Sequence, residues 1–328
     1  MMEREAAMKR LLACVLLTCL GVGLLACPAR ADSPPAFLGI WGSRGSGPGQ
    51  FDHPFSAALD AAGNVYVTDQ HNYRVQKFHP DGSYFGEWST GLESFPTGIA
   101  IGPGDIVYVV MNRSHVVNMY STSGAFMGQI GSPGRSPGQF FYPVAVATDA
   151  AGYVYVADSE NHRVEKFTPG GAFLKTWGTA GTGPGEMIQP YGIAVDVSGV
   201  VYVGEYGGSR IQKFDSEGNY LGQIGSPGSG DGQFFAAEGM AFDADGNLYA
   251  CDTGHERMFK FTPAGALLTQ WGSLGSGHGQ FYTPSDVAID GYGDILVVEW
   301  DNSRIQVFGT GPTPAHRTSW GQLKAHYR

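Results

Sequence analysis

Six times along this chain the same set of four short strands comes round. The unit reads most plainly between Phe141 and Gly178, where four β-branched or aromatic runs (Val144 to Thr148, Tyr153 to Ala157, Arg163 to Phe167, Ala172 to Trp177) are parted by turn clusters. That pattern predicts a meander of four antiparallel strands. Gly152 and Gly171 stand where tight turns require positive φ. The first strand of the unit ends at Asp60, Gly102, Asp149, Asp196, Asp243 and Asp290, at spacings of 42, 47, 47, 47 and 47 residues. A four-stranded unit of that length predicts a propeller blade, and six copies predict an all-β, six-bladed propeller of four-stranded antiparallel blades. Glycine, 50 of 328 residues, is about twice its usual share of roughly 7%. It falls at fixed places in each repeat, so it marks turns and not disorder.

The ring has a predicted closure. Phe37 to Trp41 reads like the fourth strand Phe173 to Trp177 but precedes any first strand, whereas the last unit stops after its third strand, Arg304 to Phe308. The N-terminal strand 37–41 is expected to complete blade six and remove the free edge. In blade one the predicted strands are Phe55–Asp60, Val65–Asp69, Arg74–Phe78 and Tyr84–Trp88. Glycine-rich connectors such as 42–51 join the blades. None leads into Lys-Ser/Thr or a helix, which speaks against a phosphate loop. Phe51, Phe140, Phe234 and Phe281 are expected to plug the gaps between blades.

Flanking the propeller (32–309) are two other segments. In residues 1–31, Lys9 and Arg10 precede an apolar run from Leu11 to Leu25, and Ala29 to Ala31 fits a small-x-small cleavage site, as in a removable signal peptide. Leu24 to Cys27 also resembles a lipobox, so a lipid anchor at Cys27 is the alternative. Either way the chain is expected to be exported: periplasmic, secreted or lipid-anchored to a bacterial envelope, and on a membrane only if lipidated. Residues 310–328 read as a linker and short basic tail, in which Trp320, Leu323 and Tyr327 are spaced like one helical face. Removal of residues 1–31 leaves only Cys251, which excludes an internal disulfide; its place in a second strand predicts a buried apolar residue. That segment carries four basic and two acidic residues, which leaves 16 basic against 28 acidic in the remainder. This balance argues against nucleic acid as a partner.

An acid ending the second strand and an arginine opening the third recur as Asp69 with Arg74, Asp158 with Arg163, Glu205 with Arg210, Asp252 with Arg257 and Glu299 with Arg304. Blade two has Met111 and Val116 there, and its connector, Ser89 to Pro96, is five residues short. The joint loss reads these residues as structural pairs, since an unpaired buried charge is costly.

Blade four carries the sequence Pro190-Tyr191-Gly192-Ile193-Ala194-Val195-Asp196 and then Arg210-Ile211-Gln212-Lys213-Phe214. On these residues the units resemble NHL repeats, over residues 37–308. The resemblance implies the propeller fold and says less of function, because one scaffold hosts unrelated activities. The chain also resembles the extracytoplasmic NHL sensor domain of certain bacterial kinases. Peptidylglycine amidating lyase, an enzyme similar to NHL propellers, places metal-binding histidines just after the first-strand proline. Here that position reads Phe55, Thr97, Val144, Tyr191, Glu238 and Ser285, with no histidine, and His53, His71, His115, His162 and His255 are scattered over different loop offsets. No metal or cofactor is therefore expected, calcium near Glu238 being the exception left open. RNA-binding NHL proteins use a basic face, which this acidic chain lacks.

The connectors and the second-to-third-strand loops share one face of such a fold, and it holds the residues that vary between repeats. The expected function is a monomeric, non-catalytic module binding a protein, peptide or glycan there. Phe55, Tyr191, Tyr206 and Trp300 are the expected aromatic anchors, and Glu238 and Arg113 the expected specificity charges. Two alternatives remain: a propeller enzyme using a channel metal, lactonase-like or a lyase, and a structural envelope component. No catalytic residue stands out, as no Gly-x-Ser-x-Gly or His-Glu-x-x-His motif occurs.

Overall fold

Alternation of apolar side chains, punctuated in every blade but the second by an Asp-x-x-Gly turn, gives the repeats their strands. At Asp60 the carboxylate accepts the backbone N–H groups of Ala62 and Asn64 (3.0 and 2.9 Å) and the Tyr66 hydroxyl (3.0 Å), which fixes the turn between the first two strands. Asp149 does the same with Ala151, Tyr153 and Tyr155. The computed structural model describes residues 32–309; the expected targeting segment, Cys27 and the basic tail lie outside them.

The result is six four-stranded antiparallel sheets. Blade one comprises Pro54–Leu59, Val65–Asp69, Arg74–Phe78 and Tyr84–Ser89, each within a residue or so of the sequence expectation. The first strands are innermost: Pro54–Leu59, Pro96–Gly102, Pro143–Thr148, Pro190–Val195, Ala237–Phe242 and Pro284–Ile289. Each packs on the next, and the sixth packs on the first, which closes a ring around a central channel. Ala36–Trp41 pairs antiparallel with Arg304–Gly309, Trp41 opposite Ile305 and Ala36 opposite Gly309. The first described strand thus completes the last blade.

The core lies between blades, where six apolar clusters each draw on two adjacent sheets. Phe51, Phe140, Phe234 and Phe281 from the connectors, with Met187 at the same place in blade four, are wholly buried in these seams. The fit leaves no room: a Cβ on Gly42 (φ +86°) would stand 2.4 Å from the Phe51 ring. Cys251 is likewise fully buried.

The arginines staple the connectors. Arg74 donates from Nε to Asp69 (2.7 Å) and from its two terminal nitrogens to the carbonyls of Ser46, Gly47 and Gln50 (2.8–3.0 Å). Asp69 in turn accepts the Asp52 N–H at 2.8 Å. Arg163, Arg210, Arg257 and Arg304 reach Asp158, Glu205, Asp252 and Glu299 through Nε and their own connectors through the remaining nitrogens. Blade two lacks the pair because it lacks the long connector that the arginine holds.

Candidate binding face

The second-to-third-strand loops gather beside the connectors. Each such loop contains a residue in the left-handed region, and in most blades its side chain bonds to the next blade. His115 and His162 accept the N–H of Tyr142 and Gln189 through Nδ1 (2.8 and 3.1 Å), and Glu256 accepts that of Thr283 at 2.6 Å. These two histidines are latches between blades.

Inside the latches the inner strands bound a cavity of about 350 Å³, lined among others by Phe55, Ser56, Tyr191, Glu238, Ser285 and Asp286. The strands approach so closely that a Cβ on Gly192 would fall 1.9 Å from the Glu238 carbonyl. The place taken by Gly98, Gly192 and Gly239 is Asp286 in blade six. Its carboxylate crosses into blade one, where it accepts the Ser56 hydroxyl at 2.6 Å and the Ala57 N–H at 3.1 Å.

The residues singled out in sequence fall into two groups. Phe55, Tyr191 and Glu238 line the channel, and Tyr206 packs on Tyr191 with ring centroids 5.1 Å apart. Tyr206 is 42% exposed. Burial, with Glu238 nearby, pushes the Tyr191 phenol up to about 12. Trp300 and Arg113 belong to a second group that spans blades six, one and two. The Trp300 indole donates to Gln70 Oε1 at 2.9 Å and lies 4.2 Å from the His53 ring. His53 lies 4.2 Å from His71, His71 meets Phe95 edge-on at 5.5 Å, and the Arg113 guanidinium stacks on Phe95 at 3.8 Å. In a six-membered ring blade four is opposite blade one, so the two aromatic groups face each other across the mouth.

Two sequence expectations need amendment, and one residue was missed. Glu238 is not an open surface charge: it is 5% exposed, and burial, reinforced by Asp286 and Glu256, raises its carboxyl to about 8. It is therefore mostly protonated at neutral pH. Asp286, overlooked in the sequence, is raised by burial to about 6. The histidines are not all scattered, because the fold brings His53 and His71 together. Burial and the His53 charge hold His71 below the ordinary imidazole value. The signal for Asp286 was available: an acid at a place where three of the other five blades have glycine.

The NHL repeat pattern matches residues 140–167 and 281–308. NHL repeat-containing protein 3 of Homo sapiens is 32% identical over 99 residues, which are 29% of this chain and 28% of that protein. The chain thus spans less than a third of the length of that curated relative. Among solved structures, a gluconolactonase from Xanthomonas campestris superposes with a TM-score of 0.61 at 14% identity, over 86% of this chain and 99% of that one. An auxiliary nutrient binding protein from Bacteroides ovatus gives 0.63 at 13% identity, over 84% and 76%. At such identities the likeness is one of fold.

Proposed function

We propose that this six-bladed propeller, two segments of which match the NHL repeat, is a binding module whose open face takes a protein or peptide segment across the channel mouth. The observation that carries this reading is the pair of facing aromatic groups: Tyr191 with the exposed Tyr206 on one side, Trp300 with His53, His71 and Phe95 on the other. Rigid aromatic rings supply contact area at little entropic cost, and they dominate the energy of such surfaces. Arg113, which ion-pairs with no carboxylate among the described residues, supplies a charge for selection. We place the module outside the cytoplasm, on the strength of the basic-then-apolar run before Asp32.

The test is retention. The immobilised chain is exposed to an extract of its host beside a Tyr191→Ala/Trp300→Ala double variant. A discrete polypeptide held by the wild type and released by the folded variant is expected. Equal retention by both, or none by either, would overturn the reading.

A second reading has one observation in its favour. Glu238 and Asp286 share the channel wall with carboxyls raised to about 8 and about 6, and acids set apart in this way suit acid–base chemistry. Turnover of a lactone or other small ester that is lost in Glu238→Gln would replace the binding module with a channel enzyme.

A further inference from the structure

Blade one alone carries the set Asp52, His53 and His71. At the place of Asp52 the other blades have Ser94, Phe141, Ile188, Phe235 and Tyr282; at that of His53 they have Phe95, Tyr142, Gln189, Ala236 and Thr283. One ligating atom from each of Asp52, His53 and His71 lies within 4.8 Å of the other two, and among the described residues only this set of histidine, cysteine and carboxylate side chains is so arranged. His53 Nδ1 sits 2.7 Å from Asp52 Oδ1, so the two atoms already stand side by side as two donors to one ion would, the ion replacing the proton between them. His71 is half-buried against the His53, Phe95 and Trp300 rings, yet neither of its ring nitrogens has a hydrogen-bond partner among the described residues. The other loop histidines are committed: His115 and His162 to backbone N–H groups, His255 to Asp252.

We propose that Asp52, His53 and His71 bind a divalent transition-metal ion of the zinc class. Two imidazole nitrogens are borderline donors and, joined by one carboxylate oxygen, suit such ions better than Ca²⁺ or Mg²⁺, which require oxygen cages. Arg44, 3.6 Å from Asp52, and Arg113 on Phe95 bring positive charge, which opposes a hard cation held by field alone. Metal–imidazole bonds withstand that better. Zinc binds imidazole nitrogen at about 2.0–2.1 Å, and His71, held by no side-chain hydrogen bond among the described residues, can turn toward the Asp52–His53 pair. Three protein ligands leave a coordination position open toward the face. A carboxylate or imidazole on an incoming segment would fill it, with the two arginines beside it.

The experiment uses tag-free full chain, stripped with chelator and titrated with Zn²⁺ alone by calorimetry. One ion per chain is expected. His71→Ala and His53→Ala should each weaken uptake more than about tenfold, while His79→Ala, distant in the repeat, should not. Zinc should also raise the Tm of the wild type and not that of His71→Ala. Asp52→Asn, which preserves shape, serves should His53→Ala fail to fold. No uptake by the wild type, or uptake that His71→Ala leaves unchanged, overturns the site. No peptide is present, so this inference and the binding-module reading fail separately.

Discussion

Glu165 stands where Gln76, Gln212 and Gln306 stand in blades one, four and six. Each glutamine accepts a connector N–H through Oε1 and donates through Nε2 to a connector carbonyl and to the buried acid; for Gln212 the latter distances are 2.6 and 2.8 Å. Glu165 keeps the first bond, accepting the Gly138 N–H at 3.1 Å, but its Oε2 is buried with no partner. Burial, only partly offset by Arg163, raises its carboxyl to about 7. A raised carboxyl stabilises the fold in its protonated form, and that contribution is lost as pH rises through the folded value. Protonated Glu165 has a hydroxyl where glutamine has an amide donor. Glu165→Gln should therefore stabilise the protein by ~1–3 kcal/mol at about pH 8.5 and by clearly less at about pH 5. Urea unfolding at the two pH values measures this, and an equal gain at both would refute it.

At the scale of the element, the connector, its arginine, the acid and the aromatic plug behave as one part. Arg74→Ala leaves Asp69 buried without its cation and removes three bonds donated to the connector, at Ser46, Gly47 and Gln50. It should cost about 3–5 kcal/mol in urea unfolding; a loss within about 0.5 kcal/mol, as at an ordinary surface site, would deny it the role. These parts were legible because each lies within one repeat, where six copies can be compared: the pairs, the plugs and the strand limits all follow from offsets along the chain. What joins blades one and six was not. Ser56 with Asp286, and Gln70 with Trp300, are each 230 residues apart, and no pattern inside a repeat places them together. The depth of Glu238 escaped for a related reason. A lone acid shows in the sequence, but the walls that bury it come from neighbouring blades.

For the whole molecule, the channel acids set a dependence on pH. Glu238 goes from an ordinary 4.5 to about 8, and Asp286 from 3.8 to about 6. Both favour the fold when protonated. Their contribution is complete below about pH 4 and disappears as pH rises, first through about 6 and then through about 8. The Tm should fall between about pH 5 and 8.5, and Glu238→Gln should flatten the upper part of that decline. An unchanged slope in the variant would show that Glu238 does not carry it. The pairing of Ala36–Trp41 with Arg304–Gly309 also bears on the order in which the molecule can form. During synthesis the first strand emerges long before its partner, and contacts so distant along the chain close slowly. Blades one to five can each gather as they leave the ribosome, but the ring must wait for residue 309. A nascent chain halted before that point holds the strand 36–41 unpaired, and its handling by chaperones in that interval depends on blade six, which lies more than 250 residues further on.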